Sequence, residues 1–281
     1  MQKRETQVGV LDKAMAILQV FSREETMLTP REIAARTHLS LPTVYRLAQA
    51  LSVHGLLEQE EQHFRLGVGL LRLGNLVAEA NDLRRVALSH MYQLNACTGE
   101  SIELHGRQKD AHVALAVVPG TQTLRHMVSP GTAFPLHRGA IGVVLLAWLP
   151  PEEREVLVAR SAERWGGTSV DLLSLTAAWE EARTQGWSMS EHEPDAGVLA
   201  IAAPLFNAHG EGVGALALVA PAGHLLSQER QQWPPLVREA AAHISQGKGY
   251  HGNEPQGDPV RVDAPHLLSL GRQVSRKRAA G

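Results

Sequence analysis

The chain has 281 residues, a formal net charge of −2, one cysteine, 4% aromatic residues and an ordinary apolar fraction of 44%. At about 150 residues per domain it has room for two domains. A single cysteine excludes an intramolecular disulfide and a multi-thiolate zinc site, and near-neutral charge argues mildly against nucleic-acid binding.

The start, Met1 to Gln7, lacks an apolar signal core and reads as a short polar arm. Leu11, Met15, Ile17, Leu18 and Phe21 recur at helical spacing and predict an amphipathic first helix. Thr29-Pro30-Arg31-Glu32 is a capping box with proline in the first helical position, opening a short second helix that ends near Thr37. Ser40-Leu41-Pro42-Thr43 repeats the start signal, with Ser40 placed to cap. The third helix carries Val44, Leu47, Ala48 and Leu51 on one face and stops at Gly55. Leu56–Glu58 and His63–Leu66 then read as two short strands, with residues 59–62 as their turn.

Val68–Ala80 reads as a leucine-rich helix and Leu83–Leu94 as another, so the domain boundary is placed near residues 67–83. Beyond it, Ala111–Val118 and Leu124–Val128 are strand-like around Pro119-Gly120. Ala140–Leu149 is an apolar helix stopped by Pro150-Pro151. Thr176–Gln185 is a helix ended by Gly186. Val198–Phe206 and Gly212–Val219 flank Asn207–Gly210 as a hairpin, and Ser227 opens a last helix to about Ser245. Residues 247–281, rich in Gly, Pro, Arg and Lys, read as a disordered tail whose Arg276-Lys277-Arg278 cluster could attract phosphate. No 18-residue apolar run predicts a membrane span.

The most informative pattern is the pair of short helices over residues 30–54, which describes a helix-turn-helix followed by a wing. A recognition helix must enter the major groove with polar or cationic groups foremost. Thr43, Tyr45, Arg46 and Gln49 fall away from the apolar face. Together with Arg31, Ser40 and Pro42, and with His63 and Arg65 on the wing, they are the candidate DNA contacts. Between Arg31 and Gly55, three arginines face one glutamate, a local positive excess of two despite the negative total.

These segments resemble a known family. Leu11–Leu18, Leu39–Leu47, and Gly55-Leu56-Leu57-Glu58 with Phe64–Gly67 are similar to the first helix, recognition helix and wing of the IclR family of bacterial transcription regulators. Pro135–Gly142 with Leu145-Leu146-Ala147, then Gly197–Phe206 and Gly214–Leu218, are similar to that family's pocket helix and central strands. The resemblance covers about residues 8–245. It implies an α+β chain with a winged helix-turn-helix (1–67), a linker helix (68–82) and a GAF-like α/β effector-binding domain (83–246). The implied partners are a double-stranded DNA operator, a small organic-acid effector and a second copy of the chain, as a homodimer or a dimer of dimers. The family includes repressors and activators, and a cytoplasmic location is expected.

The resemblance further implies an effector pocket at Gly139, Ala140, Ile141, Ser190, Ala200, Ala217 and Val219. With one serine among apolar residues, that lining suits an organic acid with an apolar body. Fourteen histidines invite a metal, but His90, His105, His112, His126 and His137 are scattered. Glu191-His192-Glu193 beside His137 reads as solvated loop. Cys97 reads as an inert thiol, and Glu193 with Asp195 has no geometry that fixes it as an acid/base pair. No phosphate-binding loop, dinucleotide fingerprint or nucleophile elbow is present, so neither a cofactor nor a catalytic site is expected. The competing reading is a small-molecule sensor whose helix-turn-helix serves protein interaction.

Overall fold

The computed structural model describes residues 9–22, 24–166, 170–191, 197–224 and 227–252. The N-terminal arm, His192, Glu193, Asp195 and the tail beyond residue 252 lie outside the described residues. The chain divides into two units, at Asn81 and Asp82.

The first unit runs α1 (Gly9–Gln19), α2 (Pro30–Thr37), α3 (Leu41–Val53), β1 (Leu57–Glu60), β2 (His63–Leu66) and α4 (Val68–Ala80). Its core is Ile17, Leu28, Ile33, Val44, Leu47, Ala48, Leu51, Leu57 and Phe64. The expected capping box forms: Thr29 Oγ1 accepts from the Glu32 N–H at 3.3 Å, and Glu32 Oε2 accepts from the Thr29 N–H at 2.7 Å. Helix α3 ends in a Schellman motif. The N–H of Gly55 (φ 68°) reaches Ser52 O at 2.9 Å and that of Leu56 reaches Leu51 O at 2.9 Å, with Leu56 packed on the core that holds Leu51.

Two expectations fail here. Ser40 occupies the N-cap of α3 but makes no side-chain cap, because its hydroxyl pairs with Thr43 Oγ1 at 2.8 Å. The wing turn is also shorter than residues 59–62: Glu58–Glu60 all pair with β2, and Glu61 takes a left-handed φ of 52°.

The second unit runs α5 (Asp82–Thr98), β3 (Ser101–Gln108), β4 (Ala111–Val118), β5 (Ala133–Pro135), α6 (Gly139–Ala147), α7 (Pro151–Arg164), α8 (Leu172–Gln185), β6 (Ser188–Glu191), β7 (Val198–Phe206), β8 (Gly212–Pro221) and α9 (Ser227–Gly247). All six strands form one antiparallel sheet, ordered β5-β4-β3-β8-β7-β6. Strand alternation divides its faces. Ile102, Leu104, Leu199, Ile201, Leu205, Leu216 and Leu218 pack with Met91, Trp233 and Val237 of α5 and α9. Ala200, Ala202, Ala215, Ala217 and Val219 meet α6 instead. Those small side chains let α6 lie close on the sheet with Ala140–Ala147 buried all round.

Residues 124–128, expected as a strand, form none. Leu124 and Met127 are 65% and 61% exposed, and β5 takes the edge of β4 that such a strand would need. Strands β3, β5 and β6 and helix α7 carry no equivalent in the sequence reading. Helix α8 starts four residues early because Asp171 caps it, accepting from the N–H groups of Leu173 and Ser174 at 3.0 and 3.2 Å.

Candidate functional site

In the first unit, α2, the turn at His38–Ser40 and α3 form the helix-turn-helix. His38 adopts the left-handed conformation (φ 56°) that ends α2, a position open to histidine more than to branched residues. Burial of Val44, Leu47, Ala48 and Leu51 turns Tyr45, Arg46 and Gln49 outward, while Thr43 is half-buried. Arg31 is exposed at the start of α2. Among the described residues neither Arg31 nor Arg46 has an ion pair.

Arg36 and Arg65 are committed within the unit. Arg36 holds Glu25 through a fork, with Nη2 2.6 Å from Oε1, and that fork draws the Glu25 carboxyl below its ordinary range. Arg65, a predicted wing contact, lies opposite Glu58 in the hairpin and pairs with Glu58 at 2.9 Å and Glu60 at 3.4 Å. Glu58 Oε1 also accepts the N–H of Val68 at 3.2 Å. It thereby caps α4, whose N-cap position is Gly67 and offers no side chain. That backbone hydrogen bond, with Arg65 second, lowers the Glu58 pKa. His63 stands half-buried at the start of β2.

Apolar surface remains uncovered. Among the described residues of α4 none is buried. Leu71, Leu76 and Val77 of α4 and Val10 and Leu11 of α1 are all more than half exposed.

In the second unit a cavity opens between the sheet and the start of α6. It holds about 40 Å³ of water-accessible volume, room for about three or four waters at about 10–15 Å³ each. Five of the seven predicted residues line it: Gly139, Ala140, Ile141, Ala200 and Val219. Gly139 takes φ 82° at the turn into α6, where a side chain would be strained. The other two stand apart from the lining. Ser190 faces a neighbouring cleft, its hydroxyl accepting the Ala140 N–H at 3.0 Å. Ala217 is buried in β8 opposite Glu103.

The expectation of an almost wholly apolar lining is corrected by β3 and β4. Glu103 and His105 share the sheet face under α6, and His112 lies diagonally across from His105. Glu103 Oε2 is 2.8 Å from His105 Nε2, and His105 Nδ1 is 3.1 Å from His112 Nδ1. His126 Nε2 is 3.8 Å from Glu103 Oε1. All four residues border the cavity with Phe134 and Arg138. Burial, and then His105, push the His112 pKa well down. The three histidines that look scattered in sequence therefore meet in space. Glu103, His105 and His112 form a hydrogen-bonded chain with His126 3.8 Å from Glu103, and among the described residues no cluster suited to a metal ion forms.

His137 is separate: Nδ1 lies 2.9 Å from Ser161 Oγ, and its pKa is lowered by burial and by Arg138. Burial raises the pKa of Cys97, opposite to an activated thiol.

Comparison with known proteins bears on the family and the fold. The model of the IclR helix-turn-helix domain matches residues 10–61, and that of the bacterial transcriptional regulator IclR C-terminal domain matches residues 76–246. The chain is 30% identical over 258 residues to the HTH-type transcriptional regulator KdgR of Escherichia coli K12, covering 89% of this chain and 97% of the relative. An IclR family regulator from Brucella abortus superposes with TM-score 0.72 at 28% identity, over 87% of this chain and 94% of that one. An IclR homologue from Microbacterium hydrocarbonoxydans, complexed with 4-hydroxybenzoate, has TM-score 0.69 at 24% identity, over 84% and 98%.

Proposed function

The chain belongs to the IclR family of bacterial transcription regulators, and from that premise we propose that it binds a specific DNA operator as a dimer or a dimer of dimers and answers to a small organic acid. The family is one of regulators, not enzymes. Among the described residues no helix is long and apolar enough to cross a membrane.

The observation that carries the operator reading is the outward face of α3. Arg46 stands there exposed and without an ion pair among the described residues, beside Tyr45 and Gln49. A guanidinium in that place suits a guanine edge or a phosphate. Arg31, Ser40, Pro42, Thr43 and His63 would support it on the phosphate backbone. Arg65, held by Glu58 and Glu60, would shape the wing more than contact DNA.

The uncovered apolar side chains of α1 and α4 support self-association, since soluble proteins seldom leave such surface unpartnered. The cavity beside α6, with Arg138 at its edge and apolar walls, supports an organic-acid effector. The fold neighbour holding 4-hydroxybenzoate accords with that class.

The experiment is a band shift on DNA upstream of the protein's own gene. Arg46→Ala should weaken specific binding by about 1–3 kcal/mol, roughly five- to 150-fold, with unchanged circular dichroism. Wild-type affinity in Arg46→Ala would remove α3 from the recognition role.

A further inference from the structure

A second cleft lies at the open edge of β7, beside α9, and shares no lining residue with the cavity beside α6. Its origin is a length mismatch between two strands. Strand β6 pairs with β7 only as far as Ala202, opposite Ser188, so Ala203–Phe206 of β7 keep a strand partner on the β8 side alone. An open strand edge invites another strand, but this one is a poor template. Pro204 has no N–H, and the Phe206 N–H is given to Ser245 Oγ at 3.1 Å. The opening therefore suits a compact molecule better than an extended peptide.

The helix wall of the cleft is one stripe of α9. Arg238, Ala241, Ala242, Ser245 and Gln246 border it, the i, i+3, i+4, i+7, i+8 spacing of a single helix face. At about 1.5 Å per residue that wall is about 12 Å long. Its middle is alanine and therefore flat, and Ala203 adds a small side chain from the strand. Phe206 and Tyr250, with ring centroids 5.0 Å apart, stand at the Ser245 end. The water-accessible volume is about 260 Å³, room for about twenty waters at about 10–15 Å³ each.

Arg238 stands at the other end. Its Nη1 lies 3.4 Å from the carbonyl oxygen of Gln185, and the next residue, Gly186, lines the cleft. That long hydrogen bond uses one of the five N–H groups of the guanidinium, which has no ion pair among the described residues. No aspartate or glutamate is among the described residues that border the cleft.

We propose that this cleft is a second ligand site, for a planar aromatic carboxylate of two fused rings. The carboxylate pairs with Arg238, and the rings lie over the alanines with their far edge at Tyr250 and Phe206. Arginine offers a carboxylate a planar fork of donors, and a flat ring system covers small side chains while meeting aromatic rings offset or edge-on. Two rings use the length of the groove, whereas a single ring engages one end of it.

The test is calorimetric titration of the full chain with 2-naphthoate and its neutral analogue 2-naphthamide. The acid should bind about ten-fold or more tighter than the amide, the worth of a hydrogen bond to a charged group. Arg238→Gln should bring the two ligands close to equal. Ala242→Phe, at a half-buried position, should fill the groove and abolish binding of both, which leaves a test standing if Arg238→Gln fails to fold. Circular dichroism checks the fold of each variant. No binding of 2-naphthoate at millimolar concentration overturns the proposal, and so does equal binding of acid and amide by the wild type. Unchanged binding in folded Arg238→Gln or folded Ala242→Phe would place the ligand elsewhere, the cavity beside α6 included, and overturns it as well. None of these outcomes bears on operator binding, which is decided separately by Arg46→Ala.

Discussion

The carbonyl of Gly55, just past the end of α3, accepts the N–H of Gly69, in the first turn of α4, at 2.9 Å. This contact ties the recognition helix directly to the helix that leaves the wing. It is close because there is no side chain in the way: a Cβ on Gly69 would sit 2.5 Å from the Gly55 oxygen, backbone against backbone. Gly69→Ala should therefore destabilise the first unit by about 1–3 kcal/mol, the range for forced overpacking. Gly74, in the same helix, meets nothing within 4 Å, so Gly74→Ala should stabilise by up to about 1 kcal/mol through helix propensity. Urea unfolding of both variants checks this, and shifts of the same sign would refute the role given to Gly69.

Stability of the second unit should fall as the medium is acidified from about pH 7 to pH 5. Burial lowers the His112 pKa well below 6.5, with His105 beside it and Glu103 and His126 beyond. Below about 6.5 the unfolded chain takes up a proton that the folded chain refuses, which favours unfolding. The loss can reach about 1.4 kcal/mol per pH unit for each such proton. His137, also lowered, acts in the same direction. His112→Asn should flatten the dependence by up to one proton, measured as the urea midpoint at pH 7.5, 6.5 and 5.5. A slope identical to wild type would show that His112 does not titrate as described.

If α4 forms part of the contact between copies, charging its exposed apolar side chains should separate them. The double substitution Leu73→Glu with Leu76→Glu alters two residues that are 46% and 55% exposed, so the single-chain fold should survive. Sedimentation velocity should then report a monomer in place of the wild-type assembly, with operator affinity reduced. An unchanged sedimentation coefficient would assign the contact to another surface.

The reading unit was largely legible in the sequence because its signals are local. The Thr29–Glu32 box, the Gly55 stop and the Val44–Leu51 spacing each act within a few residues. The wing's internal pairing was less so. Arg65 looks like a free cation in a linear chain, and only the hairpin register sets it against Glu58. Strand β3 escaped notice because Ser101–Gln108 mixes Glu103, His105 and Arg107 with two large aliphatics. Its alternation runs for only four residues, Ile102-Glu103-Leu104-His105, and both polar members are buried at the cavity where a solvated face would be expected. Residues 124–128 show the reverse error: apolar spacing suggested a strand where no sheet edge was open to receive it. The polar part of the cavity depends on His105 and His112 meeting across two strands beside a register shift after Leu104, which no linear spacing could announce.

The Glu103 oxygen Oε1, buried and without a hydrogen-bond partner among the described residues, has a consequence for the amount of protein as well as for its state. A buried polar atom without a hydrogen bond keeps the domain less stable than an apolar core of the same shape would be. A ligand that binds only the folded form shifts the folding equilibrium towards it by mass action. A metabolite recognised in this way would then also protect its sensor from proteolysis, so that the cell would hold more of the regulator when there is something for it to report.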